Sequence, residues 1–120
     1  DVIAIGENVK NRGLNLLTGP GNDIVAVTNL TASHCHMILF STGRGTPVGA
    51  PVPTVKISTN TPLAERKPHW IDFNAGGIID GIDFTDVLFD YIIDVASGER
   101  TNNEKNGYRE ISIFKDGVVL

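Results

Sequence analysis

The stretch "MILFSTGRGTPVGAPVPTVKISTNT", residues Met37–Thr61, decides the fold. It opens on a continuous apolar run, Met37–Phe40, which is the pattern of a strand covered on both faces. It closes on Thr54–Ser58 (TVKIS), where alternation puts Val55 and Ile57 on one strand face and Lys56 on the other. Glycine, proline and hydroxyl residues crowd the space between. Such a connection either decorates the surface or holds something polar.

Reading outward, Gly13–Thr18 (GLNLLT) is a short apolar run stopped by Gly19-Pro20-Gly21, a strand followed by a turn. Asn22 or Asp23 then caps a helix, because its side-chain oxygen accepts from a free N–H of the first turn. Ile24, Val27, Leu30 and Thr31 have helical spacing, and the helix ends near Ser33 or His34. Downstream, Pro62 starts a short helical turn over Leu63–Arg66. Asp72–Asp80 takes no clear assignment. Phe84–Ser97 is an amphipathic helix whose stripe of Val87, Leu88, Tyr91, Ile92 and Val95 is expected to be buried. Glu99–Tyr108 reads as a polar loop, Glu110–Phe114 as a half-buried strand, and Lys115-Asp116-Gly117 as a turn.

Strand, helix, strand, loop, strand and a late helix make an α/β domain: a small Rossmann-like parallel sheet with flanking helices. The 120 residues are expected to be a single domain, and a start at Asp1 without methionine suggests one excised from a longer chain. Ligands of open parallel sheets bind beyond the carboxyl ends of the strands. Gly43-Arg44-Gly45 follows one strand, and Thr59, Asn60 and Thr61 follow the next. Glycines let backbone N–H groups approach an anion, and arginine offers a planar fork that matches a carboxylate. The same residues also suit an exposed turn. Lys56 near a strand end suits either an anion-neutralising or proton-transferring amine or an edge lysine reaching for water.

A formal net charge of −4 and the lack of a basic stripe disfavour a nucleic-acid partner, and none is expected. No apolar run is long enough to span a bilayer, and nothing marks secretion, so the cytoplasm is expected. The one cysteine, Cys35, is expected to be a core thiol. His34 and His36 flank it at strand spacing, but no further metal ligands follow at a recognisable distance.

"GLNLLTGPGND", "CHMILFSTGRGTPVGAPVPTVKISTNT", "ERKPHWIDFNAG", "DYIIDVASG" and "EISIFKDGVVL" together resemble the carboxyl-terminal domain of the altronate and galactarate dehydratase family. "HWIDFNAG" and "IFKDG" resemble the altronate branch more. His34 departs from the family pattern, where glycine is usual. The resemblance implies a hydro-lyase of hexuronate catabolism that dehydrates D-altronate to 2-dehydro-3-deoxy-D-gluconate. It implies a divalent metal, Fe(II), in the full-length enzyme, amino-terminal domains as partners, and little activity in this domain alone. Gly43, Arg44, Gly45, Thr59, Asn60 and Thr61 are then expected to bind substrate and Lys56 to serve catalysis; metal ligands are not assigned, and oligomerisation stays open. Galactarate dehydration, sulfolactate sulfo-lyase activity and a non-catalytic structural module are the alternatives.

Overall fold

A computed structural model describes residues 1–113. The strands are β1 (Val2–Ile3), β2 (Leu16–Leu17), β3 (Ile38–Thr42), β4 (Thr54–Ser58) and β5 (Phe73–Asn74). The helices are α1 (Asp23–Ala32), α2 (Thr61–Arg66), α3 (Thr85–Ala96) and α4 (Asn102–Asn106), with a 3-10 helix at Gly76–Asp80. β1 and β2 form a two-stranded parallel pair; β3, β4 and β5 form a three-stranded parallel sheet with β4 in the centre. The parallel α/β class read from the sequence is therefore correct. The first strand, however, joins a separate pair with Val2–Ile3, which is too short to show any periodicity.

Position in the sheet explains two differences from the sequence reading. Central β4, with partners on both sides, is buried at every position but the half-buried Ile57, and Lys56 within it has no exposure. β3 lies at an edge and alternates, leaving Leu39 49 % exposed. The core packs Val27 of α1 against Ile38 of β3 and Ala50 of the connection, with Leu30, Phe40, Val48 and Val52 around them. So the glycine–proline connection has two parts. Its second half closes the core, and only its first half is free to serve a ligand.

The cap of α1 matches its sequence signal, and the cap of α2 is supplied by Asn60. Asn22 accepts from the Val25 N–H and Asn60 from the Leu63 N–H, which starts α1 and α2. Ser33 ends α1, and His34 follows with φ of +72°, the left-handed region that favours glycine. A side chain there costs about 1–2 kcal/mol. His34→Gly is therefore expected to stabilise the domain by about 1 kcal/mol, read as a raised melting temperature. Cys35 is half-buried, less enclosed than a core thiol.

α3 departs from its expected packing. Val95 is buried at 4 % exposure and Leu88, Tyr91 and Ile92 are half-buried, but Val87 is 60 % exposed. Phe89 and Ile93 also face solvent. The helix rests on β5 through Phe73, whose ring lies edge-on to Phe84 at 5.8 Å and tilted to Tyr91 at 6.4 Å. A two-residue strand cannot cover a whole apolar stripe. Val95→Ala is thus expected to cost about 2 kcal/mol and Ile92→Ala about 1–2, while Val87→Ala stays within about 0.5. Denaturant melting of the three variants checks the order.

Glu99–Tyr108 is not a plain polar loop. Thr101 and Glu104 form a reciprocal capping box that opens α4, and Thr101 and Asn103 are buried. The Asn102 N–H donates to Asp72 Oδ1 at 2.7 Å, and its side chain donates to the Ile71 carbonyl at 2.8 Å. Of the expected strand Glu110–Phe114, residues 110–113 are irregular and the rest lies outside the described residues, as does the Lys115-Asp116-Gly117 turn. Glu110 still docks, exchanging hydrogen bonds with Gly49 through both backbone and side chain.

Candidate functional site at the carboxyl edge of the sheet

Because β3, β4 and β5 run parallel, Thr42, Ser58 and Asn74 end on one edge. The loops that follow them interlock there. The Thr59 N–H donates to the Thr42 carbonyl at 3.0 Å, and Asn60 Nδ2 donates to the Gly43 carbonyl at 3.0 Å. Asn74 Nδ2 donates to Thr61 Oγ1 at 3.2 Å, and Asn74 Oδ1 accepts from the Gly76 N–H at 2.9 Å. Gly76 packs so closely that an added Cβ would lie 2.3 Å from Thr61 N. All six residues expected to bind substrate, Gly43, Arg44, Gly45, Thr59, Asn60 and Thr61, thus meet at one place.

Their side chains divide into two kinds of work. Asn60 is fully engaged in the scaffold: Oδ1 caps α2 and Nδ2 holds Gly43. Thr59 Oγ1 donates to the Thr42 carbonyl at 3.3 Å. Gly45 turns the chain at φ of +81°, and its N–H donates to Thr42 Oγ1 at 2.9 Å. The Arg44 side chain is exposed, and among the described residues no hydrogen bond or ion pair engages its guanidinium. Among the described residues it is a free cationic group at this edge.

The loop is also held by its carbonyls. Lys67 Nζ donates to the Arg44 carbonyl at 3.1 Å while lying over the Trp70 ring at 4.5 Å. Lys56 Nζ donates to the Thr46 carbonyl from within the sheet. Thr46 Oγ1 donates to Asp23 Oδ2 at the start of α1. Burial lowers the Lys56 pKa to about 8, with Asp72, Glu110 and Asp23 opposing that shift. Lys56 therefore sits one layer behind the surface on which Arg44 lies.

Asp72 anchors the layer below. Its Oδ2 accepts from the Lys56 N–H at 2.8 Å and its Oδ1 from Asn102, which ties β4 to α4. Burial pushes its carboxyl up, against the pull of those two backbone donors. Burial, then the neighbouring Asp72 charge, raises the Tyr91 hydroxyl to about 12.

Lys67 and Asn74 were not visible as site residues in the sequence. Lys67 lay in a mixed charge cluster, and Asn74 in a stretch without periodicity. As for metal, no group of three His, Cys, Asp or Glu side chains among the described residues could hold an ion. The described residues of this domain therefore do not by themselves make a site for the divalent metal that the resemblance implies for the full-length enzyme.

The D-galactarate/altronate dehydratase carboxyl-terminal family model matches residues 1–119. The chain belongs to that family. It is 54 % identical over its whole length to the altronate dehydratase of Escherichia coli (strain K12) and 53 % to that of Bacillus subtilis (strain 168). It is 36 % identical, over 99 % of its length, to the galactarate dehydratase (L-threo-forming) of Escherichia coli (strain K12). The chain spans about a quarter of the length of these curated relatives. Within the family, the higher identity to the altronate enzymes agrees with the branch suggested by "HWIDFNAG". Among the described residues, no helix is long and apolar enough to cross a membrane.

Proposed function

We propose that the full protein is an altronate dehydratase of hexuronate catabolism, working in the cytoplasm, and that this domain contributes its carboxylate-binding edge. The observation that carries the reading is the convergence of Gly43–Gly45 with Thr59–Thr61 around a free Arg44, in a chain 54 % identical to an altronate dehydratase. Dehydration removes a proton from the carbon beside the carboxylate and expels the neighbouring hydroxyl as water. The enol that remains tautomerises to 2-dehydro-3-deoxy-D-gluconate.

Negative charge builds on the carboxylate as the proton leaves. A bidentate guanidinium contact strengthens at that moment, so Arg44 lowers the barrier as well as binding the ground state. Glycines flanking it let the backbone come close to the same oxygens. Lys56 reaches this surface only through the Thr46 carbonyl it holds; to exchange a proton with substrate, the loop would have to lift. The remaining domains, as partners, supply the other half of the site, including the ligands of any divalent metal such as Fe(II).

Turnover of altronate, galactarate and sulfolactate by the full-length protein tests the reading. Preference for altronate supports it. Preference for galactarate or sulfolactate moves the protein to a sister activity, and turnover that is indifferent to every change along Gly43–Thr61 makes this domain a structural module.

A further inference from the structure

We propose that Lys56 is the positioning residue of the Gly43–Thr46 loop, a buried cation that holds the loop from behind and adds to the field which draws in the substrate carboxylate. The inference rests on the proposed binding role of Arg44 and adds the device that sets its loop. Lys56 has no exposure, yet its ammonium is not idle: it donates to the Thr46 carbonyl and lies 5.9 Å from the Phe40 ring centroid. A buried ammonium with one carbonyl partner among the described residues is expensive to keep, so its place in the central strand needs a return. Three carbonyls of the loop are held by side-chain donors from three different positions, Gly43 by Asn60, Arg44 by Lys67 and Thr46 by Lys56. Of these donors, Lys56 alone is rigidly enclosed in the sheet.

The charged groups facing Lys56 are Asp72, on the segment entering β5; Glu110, on the chain after α4; Asp23, at the start of α1; and Lys67, after α2. The carboxylates favour its charged form and Lys67 opposes it, while burial dominates and brings the pKa to about 8. The sign follows. Below that pH the ammonium is charged and supports anion binding; above it the charge is lost and the loop is held by a weaker neutral donor.

The test uses the full-length enzyme with altronate as substrate. In the wild type, kcat/KM falls as the pH passes about 8, chiefly through a rise in KM. In Lys56→Met, KM is raised roughly tenfold already at neutral pH, the ratio expected when a charge-assisted hydrogen bond is lost, and its rise above neutral pH is gone. Trypsin provides a readout free of turnover: cleavage after Arg44 quickens by about the same tenfold factor in Lys56→Met, at a temperature where the other sites stay protected. Should that variant fail to fold, Lys56→Gln and the wild-type pH profile carry the test.

A collapse of kcat with unchanged KM would overturn the inference in favour of proton transfer by Lys56. Unchanged kinetics and unchanged cleavage would overturn it as well. Arg44→Lys run in parallel separates the two readings. If it raises KM and Lys56→Met does not, only the positioning role fails; if Arg44→Lys has no effect, the carboxylate reading fails first.

Discussion

Arg44→Lys in the full-length enzyme is expected to lower kcat/KM on altronate by one or more orders of magnitude while the melting temperature stays within a degree or two of wild type. Arg44 makes no structural bond through its guanidinium among the described residues, so none of their contacts depends on it. Its backbone carbonyl, held by Lys67, survives the change. Lysine keeps the charge and loses the planar two-pronged geometry, which isolates the carboxylate contact from simple attraction. Truncation to alanine should cost about 2–5 kcal/mol of transition-state binding if the contact is buried in the closed site. Steady-state kinetics beside a thermal melt decide it: wild-type kinetics for Arg44→Lys would reduce the residue to a solvated turn cation.

Gly76→Ala should be the most damaging single methyl in the domain. The added Cβ would lie 2.3 Å from Thr61 N, 2.6 Å from Thr61 Oγ1 and 2.8 Å from Asn60 C. Two of those three atoms belong to the backbone, which cannot rotate away as a side chain can. The strand ends must part, and with them the Asn74 bonds to Thr61 and Gly76. A loss of about 3 kcal/mol is expected, at the upper end of ordinary overpacking. Activity of the full-length enzyme should fall even where the variant remains folded, because Asn60 and Thr61 belong to the same edge. Melting indistinguishable from wild type would mean that the β4 and β5 loops are not packed as described.

The sequence was most legible where one residue type has one physical use. Asn22 reads as a cap and Thr54–Ser58 as a strand from sequence alone, whereas the cap at Asn60 is a finding of the structure. The shared edge of Gly43–Gly45 and Thr59–Thr61 followed from parallel strand order alone. Burial was less legible, since it depends on the neighbours an element acquires. Lys56 could be an edge lysine reaching for water or an amine facing a ligand, because alternation cannot tell a central strand from an edge. Val87 looked buried because helical spacing shows a stripe and not the width of what covers it. The Thr101–Glu104 capping box was legible, but the surrounding polar residues masked it. Asn74 had no local signal at all, lying in a two-residue strand.

The register of the sheet bears on how the domain assembles. Ile38 pairs with Thr54, and Ile57 with Phe73, so both neighbours of β4 are reached by the same separation along the chain. Closing either excursion forfeits a similar and modest amount of chain entropy, and neither waits on a distant segment. All three strands lie between Ile38 and Asn74, ahead of α3 and α4. A growing polypeptide therefore holds β3, β4 and β5 before α3 and α4 leave the ribosome. The binding edge can condense vectorially, with α4 arriving later to latch Asp72 from outside.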